Sequence, residues 1–379
     1  MTPSDSGAFA ARMVGVEEEL MLVDPESGVL VPCGQEIVAG TVTASQCAPA
    51  RGWGPVIKPE FFLEQVETAT RPCTTLSDLD ADVRAGRRLV RSAAETAGIA
   101  AVAMPTPVVE QPPGRVTPTS RYRGIRESYG GIARDSLICA MHIHVEVRDD
   151  HEGVAVLDRV RPWIPLLLAL SANSPFWRGD VTGYDSWRWQ VWRRWPSTGP
   201  AEPFGDAATY HKVTRQVLAT GAAHDLALLN YEVRLSSRYP TVEFRVADVC
   251  TDTEDAVVIA GLARALVATS VASWRRGEPI PSCRSDVLRS ASWRAARSGL
   301  SGGLHDPTSG RMAGAADVAT ALLLSTREAL ETAGDLERVS AGVERLVATG
   351  NGAARQREVH ARTHDLVAVV ADLARRTSP

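Results

Sequence analysis

Two apolar stretches, residues 13–16 and 20–23, flank the acidic run Glu17-Glu18-Glu19, and the turn sequence Asp24-Pro-Glu-Ser-Gly28 follows. The segment predicts a half-buried strand over 13–23 with a hairpin return at 29–32. Residues 40–59, rich in Gly, Pro and Ala, read as loop, and 61–70 reads as a second strand. Leu76, Leu79, Val83, Val90, Ala94 and Ala97 form one helical stripe that Gly98 closes. Short strands are predicted at 99–104, 136–147 and 241–248, and helices at 154–170 (kinked or divided at Pro162 and Pro165) and 210–220. The apolar run 256–272 carries Arg264 and is too short for a comfortable membrane span, so it reads as a buried helix. The chain from about 285 reads as four helices, and residues 1–12 as a mobile tail. Strands and helices do not alternate regularly. This favours an α+β fold, a mostly antiparallel sheet with helices on one side, over a doubly wound parallel sheet.

Composition narrows the function. A hydrophobic fraction of 44% and a charged fraction of 23% are those of an ordinary globular chain, and a net charge of −4 argues against nucleic-acid or membrane partners held by bulk charge. Only two of the 41 cationic residues are lysine, Lys58 and Lys212, and neither sits in a Walker A loop. Phosphate handling therefore falls to arginine, metal or backbone. The six cysteines form no Cys-x-x-Cys pair, which excludes a zinc ribbon and fits a reducing cytoplasm, and no signal peptide is visible. Six of the nine tryptophans lie between 163 and 195, so 171–206 reads as an ordered loop or lid.

Four segments place carboxylate or imidazole among apolar residues. Glu17 and Glu19 share one strand face, about 7 Å apart, and a buried pair of that kind needs metal, arginine or protons. An exposed acidic edge strand is the alternative. Glu60, Glu64 and Glu67 follow among Phe and Val. His142 and His144 share a face in Met-His-Ile-His-Val, as ligands or as satisfied core histidines. Glu243 and Arg245 share a face in Thr-Val-Glu-Phe-Arg-Val, where a plain ion pair explains them equally well. Together the four segments suit an oxygen-rich site for two or three Mg²⁺ or Mn²⁺ ions serving phosphate, with Arg234 and Arg245 available to neutralise a phosphoryl group.

These segments carry a resemblance. With Leu-Leu-Ala-Leu-Ser-Ala-Asn-Ser-Pro-Phe-Trp, Thr182-Gly-Tyr-Asp-Ser-Trp-Arg188 and Gly352-Ala-Ala-Arg-Gln-Arg357, the chain resembles the type 2 glutamate–cysteine ligases over nearly its whole length. The resemblance implies a single catalytic domain over 13–379 like that of glutamine synthetase. In that fold a curved antiparallel sheet forms a funnel around divalent metals, with helices on its outer side. It implies Glu19, Glu60 and Glu67 as ligands of the metal near the substrate, and Glu17, His142 and Glu243 as ligands of the metal bridging the ATP phosphates. His144 would face the nucleotide, Arg245 would hold the γ-phosphate or acyl phosphate, and Arg234 is a weaker candidate for the same work. The implied activity is an ATP-dependent, ADP-forming carboxylate–amine ligase working through an acyl phosphate, with γ-glutamyl-cysteine as a candidate product. Small-molecule acid and amine substrates are its partners, and a homodimer is allowed. A ligase for another acid and amine, a metal-dependent amidohydrolase and a non-catalytic scaffold are the alternatives. Two departures from the family pattern, Ala103-Met-Pro-Thr-Pro107 and Glu146, are expected to alter the substrate pocket.

Overall fold

The structure, a computed structural model, describes residues 11–47 and 55–377. Its strands are β1 (Val14–Val23), β2 (Val56–Pro59), β3 (Gln65–Ala69), β4 (Ala100–Val102), β5 (Met141–Glu146), β6 (Phe176–Trp177), β7 (Asp180–Val181), β8 (Val233–Leu235), β9 (Thr241–Phe244), β10 (Leu304–Asp306) and β11 (Arg311–Ala313). Seven of them form one sheet in the order β2-β3-β1-β5-β9-β8, with β4 also on β1, and every pairing is antiparallel. The ten-residue β1 is the spine. It pairs β3 on one edge, and β5 then β4 on the other.

Residue parity divides the two faces of this sheet. Val14 and Val16 of β1, Met141, Ile143 and Val145 of β5, and Val242 and Phe244 of β9 point to the helical side. There they meet Leu76, Leu79 and Val83 of the helix Leu76–Thr96 and the apolar helix Thr253–Arg275. The second helix is long and apolar enough to cross a membrane. Here its apolar surface is buried in the protein's own core, and Arg264 within it pairs with Asp335 and donates to Thr74 O at 2.7 Å. Close helix contact is purchased with glycine: a Cβ on Gly342 of the helix Leu336–Thr349 would lie 2.2 Å from Val258 Cγ2.

Several expectations need correction. Where a loop is expected over 40–59, residues 40–47 belong to the helix Gly34–Cys47 and 56–59 form β2. The glycines there serve close approach: a Cβ on Gly34 would meet Gln65 O at 2.6 Å, and one on Gly40 would press Ala93. Residues 48–54 and most of the expected tail, 1–10, lie outside the described residues. Arg12 is anchored, donating to Glu146 O at 2.8 Å and to Glu152 Oε1 at 2.6 Å. Where four helices are expected from about 285, the described residues hold five α-helices and the β10–β11 hairpin, and Gly350 separates Leu336–Thr349 from Gly352–Thr363. The break at Pro162 and Pro165 is present as a short 3₁₀ turn between Asp150–Val160 and Ile164–Ser171.

Candidate active site

The face of the sheet opposite the helices carries the charges. Residues directly paired across antiparallel strands point the same way, so the register alone assembles the site. Lys58 on β2 pairs with Glu67 on β3, and Glu67 pairs with Glu19 on β1. Glu17 pairs with His142 on β5, and His144 pairs with Glu243 on β9, which pairs with Arg234 on β8. Glu60 enters from the turn after β2, and Arg245 from the residue after β9. All six expected metal ligands, Glu17, Glu19, Glu60, Glu67, His142 and Glu243, line one cavity of about 360 Å³ together with His144, Arg234 and Arg245.

The contacts within this cavity are uneven. Lys58 Nζ lies 3.0 Å from Glu67 Oε1 and 3.8 Å from Glu17 Oε1. Glu17 Oε2 is 3.7 Å from His142 Nδ1 and 3.6 Å from His144 Nε2, and His144 Nδ1 is 2.9 Å from Thr241 Oγ1. Arg234 grips Glu243 with two bonds of 2.8 and 3.1 Å, and its remaining guanidinium nitrogen donates to the carbonyls of Leu226, Ala227 and Leu229. Arg245 also pairs with Glu243, but its Nε is buried without a hydrogen-bond partner. Glu19 accepts the Ala140 N–H at 2.7 Å, and neither Glu19 nor Glu60 has an ion-pair partner among the described residues. No three carboxylate or imidazole groups among the described residues converge as a ready-made ion site.

Protonation follows from these surroundings. Burial, then the charge of Glu19 and Glu67, pushes the Glu60 carboxyl well above the usual range. Burial raises Glu19 to about 7 against the opposing pull of the Ala140 N–H and Arg188. Burial and the charge of Glu17 raise Glu67, with Lys58 opposing. For Glu17 and Glu243 burial also pushes upward, but His142 and His144 in one case and Arg245 and Arg234 in the other hold the carboxyl well below the usual range. His142 is lowered to about 4 by burial and by Arg245, which leaves a neutral imidazole at pH 7. Burial pulls Lys58 down, yet Glu67 and Glu17 more than offset it and its ammonium titrates above the usual range.

Other cavity residues lie outside the expected site set, although the motif that ends at Arg188 already marks its segment. Arg188 is wholly buried in the cavity wall, donates to Val246 O and Arg245 O at 3.1 and 3.2 Å, and lies over the Trp192 ring. Tyr122 faces Glu60, and burial raises its phenol. Both come from segments without a periodic pattern. The Trp-rich segment is divided: Trp192 and Trp195 line the cavity, whereas Trp189 is core and donates to Glu232 at 3.1 Å. Glu64 turns away and accepts the Arg115 N–H at 3.0 Å. Of the two departures, residues 103–107 are buried, with Pro105 O accepting from Cys139 N, and Glu146 accepts the Met13 N–H at 3.1 Å; neither lines the cavity directly.

Known proteins share this architecture. A glutamate–cysteine ligase from Francisella tularensis, solved in complex with AMP, superposes with a TM-score of 0.70 over 97% of this chain and 88% of that one, at 14% identity. A bifunctional glutathione synthetase from Pasteurella multocida matches with the same TM-score over 98% of this chain and 53% of that one, at 16% identity. At these identities the likeness concerns the fold. Sequence relatives are nearer. A protein of Paenarthrobacter aurescens with the provisional name glutamate–cysteine ligase 2-1 is 44% identical over 96% of this chain and 94% of its own. One of Streptomyces coelicolor, provisionally glutamate–cysteine ligase 2, is 45% identical over 97% and 99%. The profile of glutamate–cysteine ligase family 2 matches residues 13–371. With the family profile over residues 13–371 and relatives 44% and 45% identical over 96% and 97% of the chain, the chain belongs to glutamate–cysteine ligase family 2.

Proposed function

We propose that this enzyme joins a carboxylic acid to an amine at the expense of ATP, through an acyl phosphate, with glutamate and cysteine as the first pair to test. It would act on soluble small molecules in the cytoplasm. The observation that carries the reading is the uneven pairing within one cavity: of four carboxylates from β1, β3 and the turn after β2, Glu17 and Glu67 share a single lysine, and Glu19 and Glu60 have no ion-pair partner among the described residues. Buried carboxylates without cationic partners are costly and call for an external cation. The donor set fits a hard divalent ion such as Mg²⁺ or Mn²⁺, being carboxylate oxygens with one neutral imidazole and no thiolate. Glu19, Glu60 and Glu67 would hold an ion near the acid, and Glu17, His142 and Glu243 one near the phosphates. Such ions supply neutralisation of phosphate charge.

The chain's own residues do the rest. Arg245, whose Nε has no hydrogen-bond partner, would bind the γ-phosphoryl oxygens, and His144 would face the nucleotide. Arg234 has its donors engaged and positions Glu243. The acid's carboxylate oxygen attacks the γ-phosphorus, and the bond to the ADP oxygen breaks. The free amine then attacks the acyl carbon, phosphate leaves with one former carboxylate oxygen, and the amine's proton passes to solvent. Binding contributes by aligning the acid with the terminal phosphate.

Oxygen-18 in the substrate carboxylate is therefore expected in released inorganic phosphate, with ADP as the nucleotide product. Label in AMP, or pyrophosphate release, would overturn the acyl phosphate. Product mass spectrometry across amino acids and amines identifies the pair.

A further inference from the structure

The cation nearest the carboxylate face is the protein's own. Lys58 is one of two lysines in the chain, and β2 carries it opposite Glu67. Its ammonium lies 3.0 Å from Glu67 Oε1 and 3.8 Å from Glu17 Oε1, so it spans carboxylates from two strands. In the proposed function these two belong to different ion sets. A positive charge between them lessens their mutual repulsion, which is part of what a divalent ion does there. Glu67 Oε1 cannot offer the same lone pair to the ammonium and to an ion. The Lys58 side chain keeps 34% of its surface exposed, which leaves it a way out. A lysine suits such a role better than arginine, since a point charge on a flexible stem lets go more readily than a planar fork bonded at two points.

We propose that Lys58 is a built-in counter-ion that spans Glu17 and Glu67 in the metal-free protein, yields that place when divalent ions enter, and so sets how tightly the site loads. This rests on the metal-dependent reading of the cavity. It accounts for the lack of a ready-made ion site among the described residues, because the protein's own cations hold three of the expected ligands: Lys58 for Glu67 and Glu17, and Arg234 with Arg245 for Glu243. Lys58 is a positioning residue. It acts through the two carboxylates.

The test is a Mn²⁺ titration of the full chain without nucleotide, read by electron paramagnetic resonance, for the parent, Lys58→Met, Lys58→Gln and Glu67→Gln. Thermal unfolding checks that each is folded. Removal of the ammonium is expected to tighten Mn²⁺ binding in both lysine variants by at least about tenfold, since a competing unit charge at 3–4 Å is lost. Glu67→Gln is expected to weaken it. Unchanged Mn²⁺ affinity in both lysine variants, with binding weakened in Glu67→Gln, overturns the counter-ion role and leaves the metal reading standing. Weaker binding in the lysine variants overturns the role too. Absence of Mn²⁺ binding in all four proteins overturns both.

Discussion

Three consecutive glutamates on β1 meet two different environments. Glu18 points to the helical side, 1% exposed, and is fully answered there: Arg87 donates to it at 2.6 and 2.9 Å, and spends its other donors on the carbonyls of Cys250, Thr251 and Thr377. Glu17 and Glu19 point the other way and share a cavity with Glu60 and Glu67, where Lys58 is the one lysine or arginine among the described residues within ion-pair distance of these four carboxylates. The first arrangement is closed; every charge and donor has its partner, and it ties β1 to the helix Leu76–Thr96. The second is open. A site that must accept charged ligands keeps charge unanswered, while a structural ion pair cannot afford an orphan. Identical residues one position apart thus serve opposite ends, and burial alone does not tell them apart.

The sharpest way to break this contrast is to neutralise either side. Glu17→Gln, Glu67→Gln and Glu243→Gln are each expected to reduce turnover by at least about 100-fold, because each removes a charged ligand candidate; the first two keep the stability of the fold, and the third also leaves Arg234 buried without its counter-charge. Glu18→Gln is expected to do the reverse. It leaves the Arg87 guanidinium buried without its counter-charge and lowers stability by about 3–5 kcal/mol, read by chemical denaturation. If Glu18→Gln left stability intact, or if the three site variants turned over normally at ordinary Mg²⁺, the two faces would not differ as described.

A smaller effect sharpens the role of one arginine. Arg245→Lys keeps the charge and loses the planar fork. Turnover is expected to fall about tenfold, or ~1.4 kcal/mol of transition-state stabilisation. A loss of stability with unchanged kcat would make Arg245 a structural partner of Glu243.

The smallest effect concerns pH. Glu19 titrates at about 7 in the folded protein, raised by burial from an ordinary 4.5. The folded chain therefore holds a proton that the unfolded chain has released, and stability falls as pH rises through that window. In EDTA, Tm is expected to drop by a few degrees between pH 5 and pH 8. The drop should shrink in Glu19→Gln, and Mn²⁺ should raise Tm more at pH 8 than at pH 5. An equal drop in Glu19→Gln would assign the effect to other groups.

Much of this site is legible in the sequence. Period-two spacing puts Glu17 with Glu19, His142 with His144, and Glu243 with Arg245, and all of them reach the same cavity. The sequence marks Arg188 only as the end of a family motif and Tyr122 not at all, and neither is legible as a cavity residue, because both stand on short helices whose placement depends on distant contacts. The second half of the Gly34–Cys47 helix reads as loop because Gly40 and the Gly-, Pro- and Ala-containing stretch after it look like turn sequence until the neighbour that Gly40 packs against is known.

The sequence by itself determined the family, the antiparallel character of the sheet and which side chains share a strand face, since alternation along a strand is a local property. The tertiary structure alone decided which face became the site, that Glu18 is answered by Arg87 from a helix 69 positions away, and that Lys58 stands between Glu17 and Glu67. Those outcomes depend on the register between strands and on which charge reaches which. Both are set by long-range pairing, and an isolated segment carries no record of its partner.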